Sequence, residues 1–179
     1  IIEALKPKNK TDRPTAFDLA INTVVIRRSS FSYDVKSEPE VIGRFDSNHV
    51  DIDDFRADIS LPEMRNNDFV IDVNRIAFSE KSGFEVVDLH GDYVISDSLL
   101  SVSDMSLQLK SSKIIFGDIS LPLDGLANLT STIAVTPVRL NLRNGTVANP
   151  ADFACFEPRL ADLDMPVNLD VDIAGTTRR

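Results

Sequence analysis

The residues with the clearest potential for chemistry form an acidic cluster around a histidine: Asp46, His49, Asp51, Asp53 and Asp54. Carboxylates beside an imidazole can bind a divalent metal ion. The spacing, however, lacks the glycine and the terminal glutamate of a calcium-binding loop. Asp51 and Asp53 are expected to point away from the apolar face of a strand. The cluster therefore predicts a solvated strand face, and we expect no metal site.

The remaining nucleophilic and metal-binding side chains lack suitable partners. His49 and His90 are the only histidines and Cys155 is the only cysteine, so the sequence contains no ligand set for zinc. Because Phe153 and Phe156 lie beside it, Cys155 is expected to be a buried structural thiol. No Gly-x-Ser-x-Gly motif and no glycine-rich phosphate loop are present. We therefore expect no enzymatic activity and no cofactor.

Charge narrows the classes of partner. The chain has 19 basic and 28 acidic residues, which give a formal net charge of −9. This balance disfavours nucleic acid, because binding to nucleic acid depends on Lys and Arg neutralising phosphates. It also disfavours electrostatic docking on an anionic membrane, so we expect no membrane contact within this chain. The sequence begins Ile-Ile and ends Thr-Thr-Arg-Arg, and we expect it to be part of a longer protein.

The elements that must position any site are strands with a two-residue step. In one example Ile71 and Val73 alternate with polar residues, two residues intervene, and Ile76 and Phe78 alternate again. Strand side chains alternate with period two, so the second pair would fall on the wrong face. The chain restores the face only if Asn74-Arg75 forms a bulge or a sharp bend.

This pattern recurs along the chain, and a polar or turn-forming pair stands at every step. The six steps are Asn22-Thr23, Asp53-Asp54, Asn74-Arg75, Ser103-Asp104, Gly117-Asp118 and Thr136-Pro137. A strand from Val87 through Leu89 and Tyr93 to Ile95 is predicted to alternate without a step.

Turn and helix signals divide the rest of the chain. Residues 27–30, Arg-Arg-Ser-Ser, predict a hairpin turn after the first strand, and Asn144-Gly145 predicts a tight turn. One short helix is expected near residues 150–157, with Asn149 as its cap and Pro150 at its first position, ending at Pro158. We predict a linker at 1–15, a curled β-sheet domain at 16–147, and a segment at 148–179 that holds the helix and starts the next β module.

The fold class predicted by these signals is all-β and mainly antiparallel. Its apolar face has two interpretations. Two sheets could seal each other as a sandwich core, or one sheet could curl into an open trough that holds acyl chains. The pattern alone favours the closed core, because apolar surface is normally hidden from water.

Four stretches of the chain resemble the AsmA-like superfamily, and most closely the TamB (translocation and assembly module) family in its Bacteroidetes form. They are Leu5-Lys6-Pro7-Lys8 leading to Phe17-x-Leu19-x-Ile21 and Phe31–Asp34, then Phe45–Ile52, then Phe78–Phe84 with Leu89, and Asp152–Pro158 followed by Val167–Gly175. Their order spans nearly the whole sequence. The membrane anchor and the C-terminal domain of the family are missing from it.

The resemblance implies an N-terminal periplasmic segment of a protein anchored in the inner membrane of a Gram-negative bacterium. Members of the family are not enzymes. Their elongated, curled sheet is thought to form a U-shaped apolar groove, and they are implicated in phospholipid transport and outer-membrane protein assembly. The outer-membrane partner would contact the absent C-terminal region.

With this resemblance, the open trough becomes the preferred interpretation, with a phospholipid or another acyl-chain ligand in it. The residues predicted to line the trough are Ile71, Val73, Ile76, Phe78, Val87, Leu89, Leu107, Leu109, Ile114 and Phe116. The alternative that stays open is a closed β-sandwich that serves as a binding or adhesion module of a secreted or surface protein.

Overall fold

A computed structural model describes residues 22–65, 68–125 and 138–175, and these form one antiparallel sheet of nine strands that is not closed. The strands are β1 (Thr23–Asp34), β2 (His49–Arg65), β3 (Asp68–Glu80), β4 (Glu85–Ile95), β5 (Leu99–Leu109), β6 (Lys113–Ile115), β7 (Ile119–Pro122), β8 (Val138–Ala148) and β9 (Val167–Gly175). The all-β prediction is confirmed, and the open sheet is consistent with the expected curl.

Strand order in the sheet follows chain order from β1 to β6, and β8 and β9 come next. Strand β7 pairs with β5 beyond the end of β6, so β6 and β7 together flank β5. This is the meander that short strands and short turns predict. The described residues form one sheet, and not the two facing sheets that the sandwich alternative requires.

Three of the predicted steps coincide with shifts of one residue in the strand register. Between Asp53 and Arg56, β2 uses one residue more than β3. Strand β3 gains a residue at Asn74-Arg75 relative to both of its neighbours. In β5 the extra residue lies between Ser103 and Ser106, opposite β4. Each shift returns the following apolar residues to the same face, as a bulge should.

Backbone conformation marks two of these bulges. Asp54 has φ 55° and Asp104 has φ 50°, both in the left-handed region. Asp tolerates this region better than β-branched residues do, because its short polar side chain can hydrogen-bond locally. At the Gly117-Asp118 step the strand breaks, and β6 ends before it and β7 begins after it. The Asn22-Thr23 step is at the start of β1, whereas the linker at 1–15 and the Thr136-Pro137 step lie outside the described residues.

Two predicted turns are wrong, because the strands continue through them. Residues 27–30 lie inside β1, where the register shifts between Ile26 and Phe31 and no hairpin forms. Asn144-Gly145 lies inside β8, and Gly145 has φ 92°. A left-handed glycine suits a bulge as well as a turn, so the dipeptide alone could not distinguish the two.

The predicted helix near residues 150–157 is shorter and more tightly wound than expected. Asn149 does cap it, because its side chain accepts a hydrogen bond from the Ala151 N–H. The result is a 3₁₀ helix at Pro150–Phe153, and a second one at Pro158–Asp162 begins at the proline that was expected to end the helix. Proline suits the first turn of a helix, so Pro158 starts this element.

Residues 149–166, which we call the strap, run along one edge of the sheet at the strand ends. The Asp152 carboxylate accepts hydrogen bonds from Ser111 N–H (3.0 Å) and Ser112 Oγ (2.6 Å) at the β5–β6 turn. Further along, the Phe156 ring lies 5.2 Å from that of Phe84 at the β3–β4 turn and 5.3 Å from that of Phe45 in the β1–β2 loop. The strap therefore contacts three successive turns.

Among the described residues, no helix has the length and apolar character needed to cross a bilayer.

Candidate functional site: an apolar sheet face

One face of the sheet carries a continuous row of apolar side chains across six strands. Directly opposed partners in neighbouring strands project to the same face. The row, which we call the central row, consists of Ile26, Ala57, Ile76, Leu89, Leu107 and Ile114, each opposite the next. Four of its members were predicted to line the trough: Ile76, Leu89, Leu107 and Ile114.

Parallel rows flank the central row on the same face. On one side of it lie three rows in which each residue is opposite the next: Val24–Ile59–Val73–Gly91, Phe116–Leu142–Val171 and Ile71–Tyr93–Val102–Ile119. The other side, nearer the strap, holds Phe78–Val86–Leu109. Nine of the ten predicted lining residues therefore occupy one face.

The tenth predicted residue, Val87, does not occupy an opposed position in these rows. Strand β4 has a register shift of its own between Leu89 and Val86, so Phe78 faces Val86 and not Val87. Val86 is 4% exposed and Val87 is 37% exposed. Because Val86 and Val87 are adjacent and equally apolar, the two-residue alternation fits with either one on the apolar face. The sequence contains no signal that chooses between the two valines. Val86, and not Val87, is the residue of β4 that lies on this face.

Burial along this face is uneven. Val86 and Leu109, beside the strap end, are buried, and Leu109 is only 1% exposed. Ile76, Leu89 and Leu107 in the central row remain partly exposed. Ala57 in the same row, and Val73 and Val102 on the side away from the strap, are also buried. The accessible part of the face is therefore the stretch around Ile76, Leu89 and Leu107.

Few polar groups interrupt the face. The Tyr93 hydroxyl lies 3.8 Å from Met105 Sδ, and burial raises the pKa of Tyr93. Gly91 lies against Met105, where an added Cβ would approach the Met105 Cα to 3.1 Å. Beyond Phe78, Glu80 is buried and its carboxylate accepts hydrogen bonds from the Ser82 N–H and hydroxyl. The surface therefore offers aliphatic and aromatic contact and few anchors for a polar group.

The acidic cluster is divided between ion pairs and loop hydrogen bonds. His49 Nδ1 lies 3.0 Å from Asp46 and its Nε2 lies 3.2 Å from Asp34. Asp54 pairs with Arg28 at 2.8 Å and with Arg56 at 2.6 Å. Within the described ranges, no group of three His, Cys, Asp or Glu side chains could hold a metal ion.

His90 and Cys155, the other two residues considered for chemistry, have surroundings that suit a structural role. His90 Nδ1 lies 2.8 Å from the Asp88 carboxylate on the same strand. Cys155 is 7% exposed, and burial raises the pKa of its thiol, which keeps it protonated at neutral pH.

A cleft of about 320 Å³ runs between the strap and the turns at residues 82–83 and 110–111.

Sequence reasoning missed the aromatic residues at the strap. Ring centroids of Phe45 and Phe156 lie 5.3 Å apart, those of Phe156 and Phe84 lie 5.2 Å apart, and those of Phe84 and Phe78 lie 6.4 Å apart. These four rings, which we call the aromatic chain, connect the β1–β2 loop to the apolar face. Phe45, Phe84 and Phe156 are far apart in sequence, and no local pattern could have joined them.

Comparisons of this chain with protein-family models, curated proteins and solved structures gave no significant match.

Proposed function

We propose that the chain is a non-enzymatic periplasmic segment of a TamB-like or AsmA-like cell-envelope protein, and that its apolar face holds the acyl chains of phospholipids. The observation that carries this proposal is the central row, in which six opposed apolar side chains cross six strands of an unclosed sheet. A continuous apolar surface of this kind is normally covered in a soluble domain or serves as a binding site.

Hydrophobic transfer would supply the binding free energy. Each methylene that leaves water for an apolar surface contributes about 0.8 kcal/mol. An acyl chain lying along the row would be recognised by its apolar surface and not by its head group, because Ile76, Leu89 and Leu107 offer no hydrogen bonds. Such a site acts as a passive conduit, and the direction of movement is set elsewhere.

Transport of phospholipid between the inner and outer membranes, and support of outer-membrane protein assembly, are the roles that this surface would serve in the parent protein. The outer-membrane partner would bind a more C-terminal region. The adhesion-module alternative gains no support from the described residues, since they provide one sheet and a sandwich requires two.

Native mass spectrometry of the purified protein tests the proposal. We expect phospholipid to co-purify with the wild type and to be lost from Leu107→Glu and Ile114→Glu, which place a charge in the central row. Val94→Glu is the matched control, because Val94 is 41% exposed and lies between two residues of the apolar face, Tyr93 and Ile95, on the opposite side of β4. Unchanged lipid content in both row variants would refute the proposal.

A further inference from the structure

The loop between β1 and β2 exposes three apolar side chains close together in sequence. Ile42 is 90% exposed, Val41 is 49% exposed and Phe45 is 39% exposed. We call these three residues the apolar tip. Single exposed apolar residues are common on protein surfaces, but a cluster of large ones marks an interaction site.

Internal hydrogen bonds hold the apolar tip in place. The Asp46 carboxylate accepts hydrogen bonds from Val41 N–H (3.0 Å) and Asn48 N–H (2.9 Å) and contacts His49 Nδ1 (3.0 Å). The backbone N–H groups of Asn48 and Val41 lower the pKa of this carboxyl. Because these groups are already paired, moving the loop into a less polar medium would not leave them unsatisfied.

Charges around the tip favour a surface that carries phosphate. Glu40 is neutralised by Lys81, with 2.7 Å between the carboxylate and Nζ, and Asp46 is occupied by the loop itself. Lys36 and Arg44 are exposed and form no ion pair with the described residues, so they remain free to reach lipid head groups. Glu38 and Glu40 are the two exposed acidic side chains between them in the sequence, and Lys81 neutralises Glu40.

The apolar tip is also continuous with the proposed acyl-chain site. Phe45 belongs both to the tip and to the aromatic chain, which passes through Phe156 and Phe84 to Phe78. Phe78 lies on the apolar face beside the central row. An acyl chain leaving a bilayer at Phe45 would therefore meet apolar side chains along the whole path to the face.

We propose that the apolar tip inserts into the interface of a lipid bilayer and places the aromatic chain at the membrane surface. A single projecting isoleucine with flanking cations fits the acyl–head-group boundary, whereas a protein partner would have to supply a matching pocket. The net charge of −9 led us to expect no membrane contact, but an overall charge does not reveal a local apolar projection. The role in lipid entry rests on the proposed function, whereas docking itself does not.

The absence of tryptophan from the sequence provides a direct test. Ile42→Trp places a single fluorophore at the tip, and Val94→Trp places one on the polar side of β4 as a control. We expect vesicles of phosphatidylethanolamine and phosphatidylglycerol to shift the Ile42→Trp emission to the blue, and lipids brominated near the head of the acyl chain to quench it. The Val94→Trp emission should stay unchanged.

No shift and no quenching of Ile42→Trp at saturating lipid would overturn the proposal. A blue shift that depends on protein concentration without vesicles would also overturn it, because it would assign the tip to contact between copies of the chain. Ile42→Asp separates this proposal from the proposed function. It should abolish vesicle binding and keep the co-purified lipid, whereas Leu107→Glu should lose the lipid and keep vesicle binding.

Discussion

The Phe45 N–H donates a hydrogen bond of 2.9 Å to the carbonyl oxygen of Cys155. Phe45 precedes β2 and Cys155 follows β8, and four strand positions separate these strands in the sheet, at β3, β4, β5 and β6. Neighbouring strands are about 4.8 Å apart, so a flat sheet would keep the two strands more than about 20 Å from each other. The contact exists because the strap reaches back along the strand ends while the β1–β2 loop extends toward it.

The anchor of the strap on the β5–β6 turn should contribute measurably to stability. Asp152→Ala removes the closer acceptor of the Ser112 hydroxyl, at 2.6 Å, and leaves only the Asn149 carbonyl oxygen at 3.4 Å; Ser112 is completely buried. We expect the free energy of unfolding to fall by about 1.5–3 kcal/mol, the usual range for a hydrogen bond to a charged group. Urea denaturation measures it. Asp118→Ala is the control, because it breaks only an exposed pair with Arg143 and should cost less than about 1 kcal/mol.

If Asp152→Ala proves no more destabilising than Asp118→Ala, the strap is held by its other contacts, such as the Phe45–Cys155 hydrogen bond and the aromatic rings.

The bulge in β5 should depend on the left-handed conformation of Asp104. Asp104→Val forces a β-branched residue to φ 50° and should lower the free energy of unfolding by about 1–2 kcal/mol. Asp104→Gly should be neutral or stabilising there, because glycine adopts positive φ without steric cost. Ser103→Val, at the neighbouring position, is the control for adding a β-branched side chain. Equal losses in Asp104→Val and Ser103→Val, measured in urea, would mean that the conformation at 104 carries no special cost.

Burial of Cys155 should make stability depend on alkaline pH. Its thiol pKa is raised in the folded chain, so the folded state keeps its proton at a pH where the unfolded state has lost it. This contribution is complete below the ordinary thiol pKa of about 8.5 and is lost as pH rises through the folded value. Cys155→Ala removes it, whereas other groups such as Tyr93 titrate in both proteins.

The measurement for Cys155 is the difference in unfolding free energy between the wild type and Cys155→Ala, followed from about pH 7 to pH 10. We expect a constant difference up to about pH 8 and a relative loss of wild-type stability above it. A difference that stays flat over the whole range would show that the thiol ionises equally in both states.

The sequence predicted the fold where apolar residues marked both sides of a step. Asp53-Asp54, Asn74-Arg75 and Ser103-Asp104 were all found because two-residue alternation stops and restarts around them. The bulge in β1 was missed, because an exposed edge strand shows no apolar alternation through residues 27–30.

The interior of β8 was missed for a different reason. Thr146 Oγ1 accepts a hydrogen bond from the Ile115 N–H and donates one to the Ile115 carbonyl oxygen. Next to the Asn144-Gly145 bulge, this side chain thus takes the place of the backbone hydrogen bonds between the strands. Only the neighbouring strand distinguishes such a bulge from a hairpin turn. For the candidate site, alternation located nine residues of the apolar face, whereas the strap contacts join distant segments that periodicity does not connect.

The last prediction compares Leu107 and Leu109, two leucines of β5 that are separated by one residue and project to the same face. Leu109 is 1% exposed, whereas Leu107 in the central row is partly exposed. In protein freed of lipid, Leu109→Ala should cost about 3–4 kcal/mol, and Leu107→Ala should cost only about 1–2 kcal/mol, because water already contacts its side chain. Val94→Ala, on the polar side, should change stability least. If urea denaturation gave the same large loss for both leucines, the face would be sealed in solution and could not admit an acyl chain.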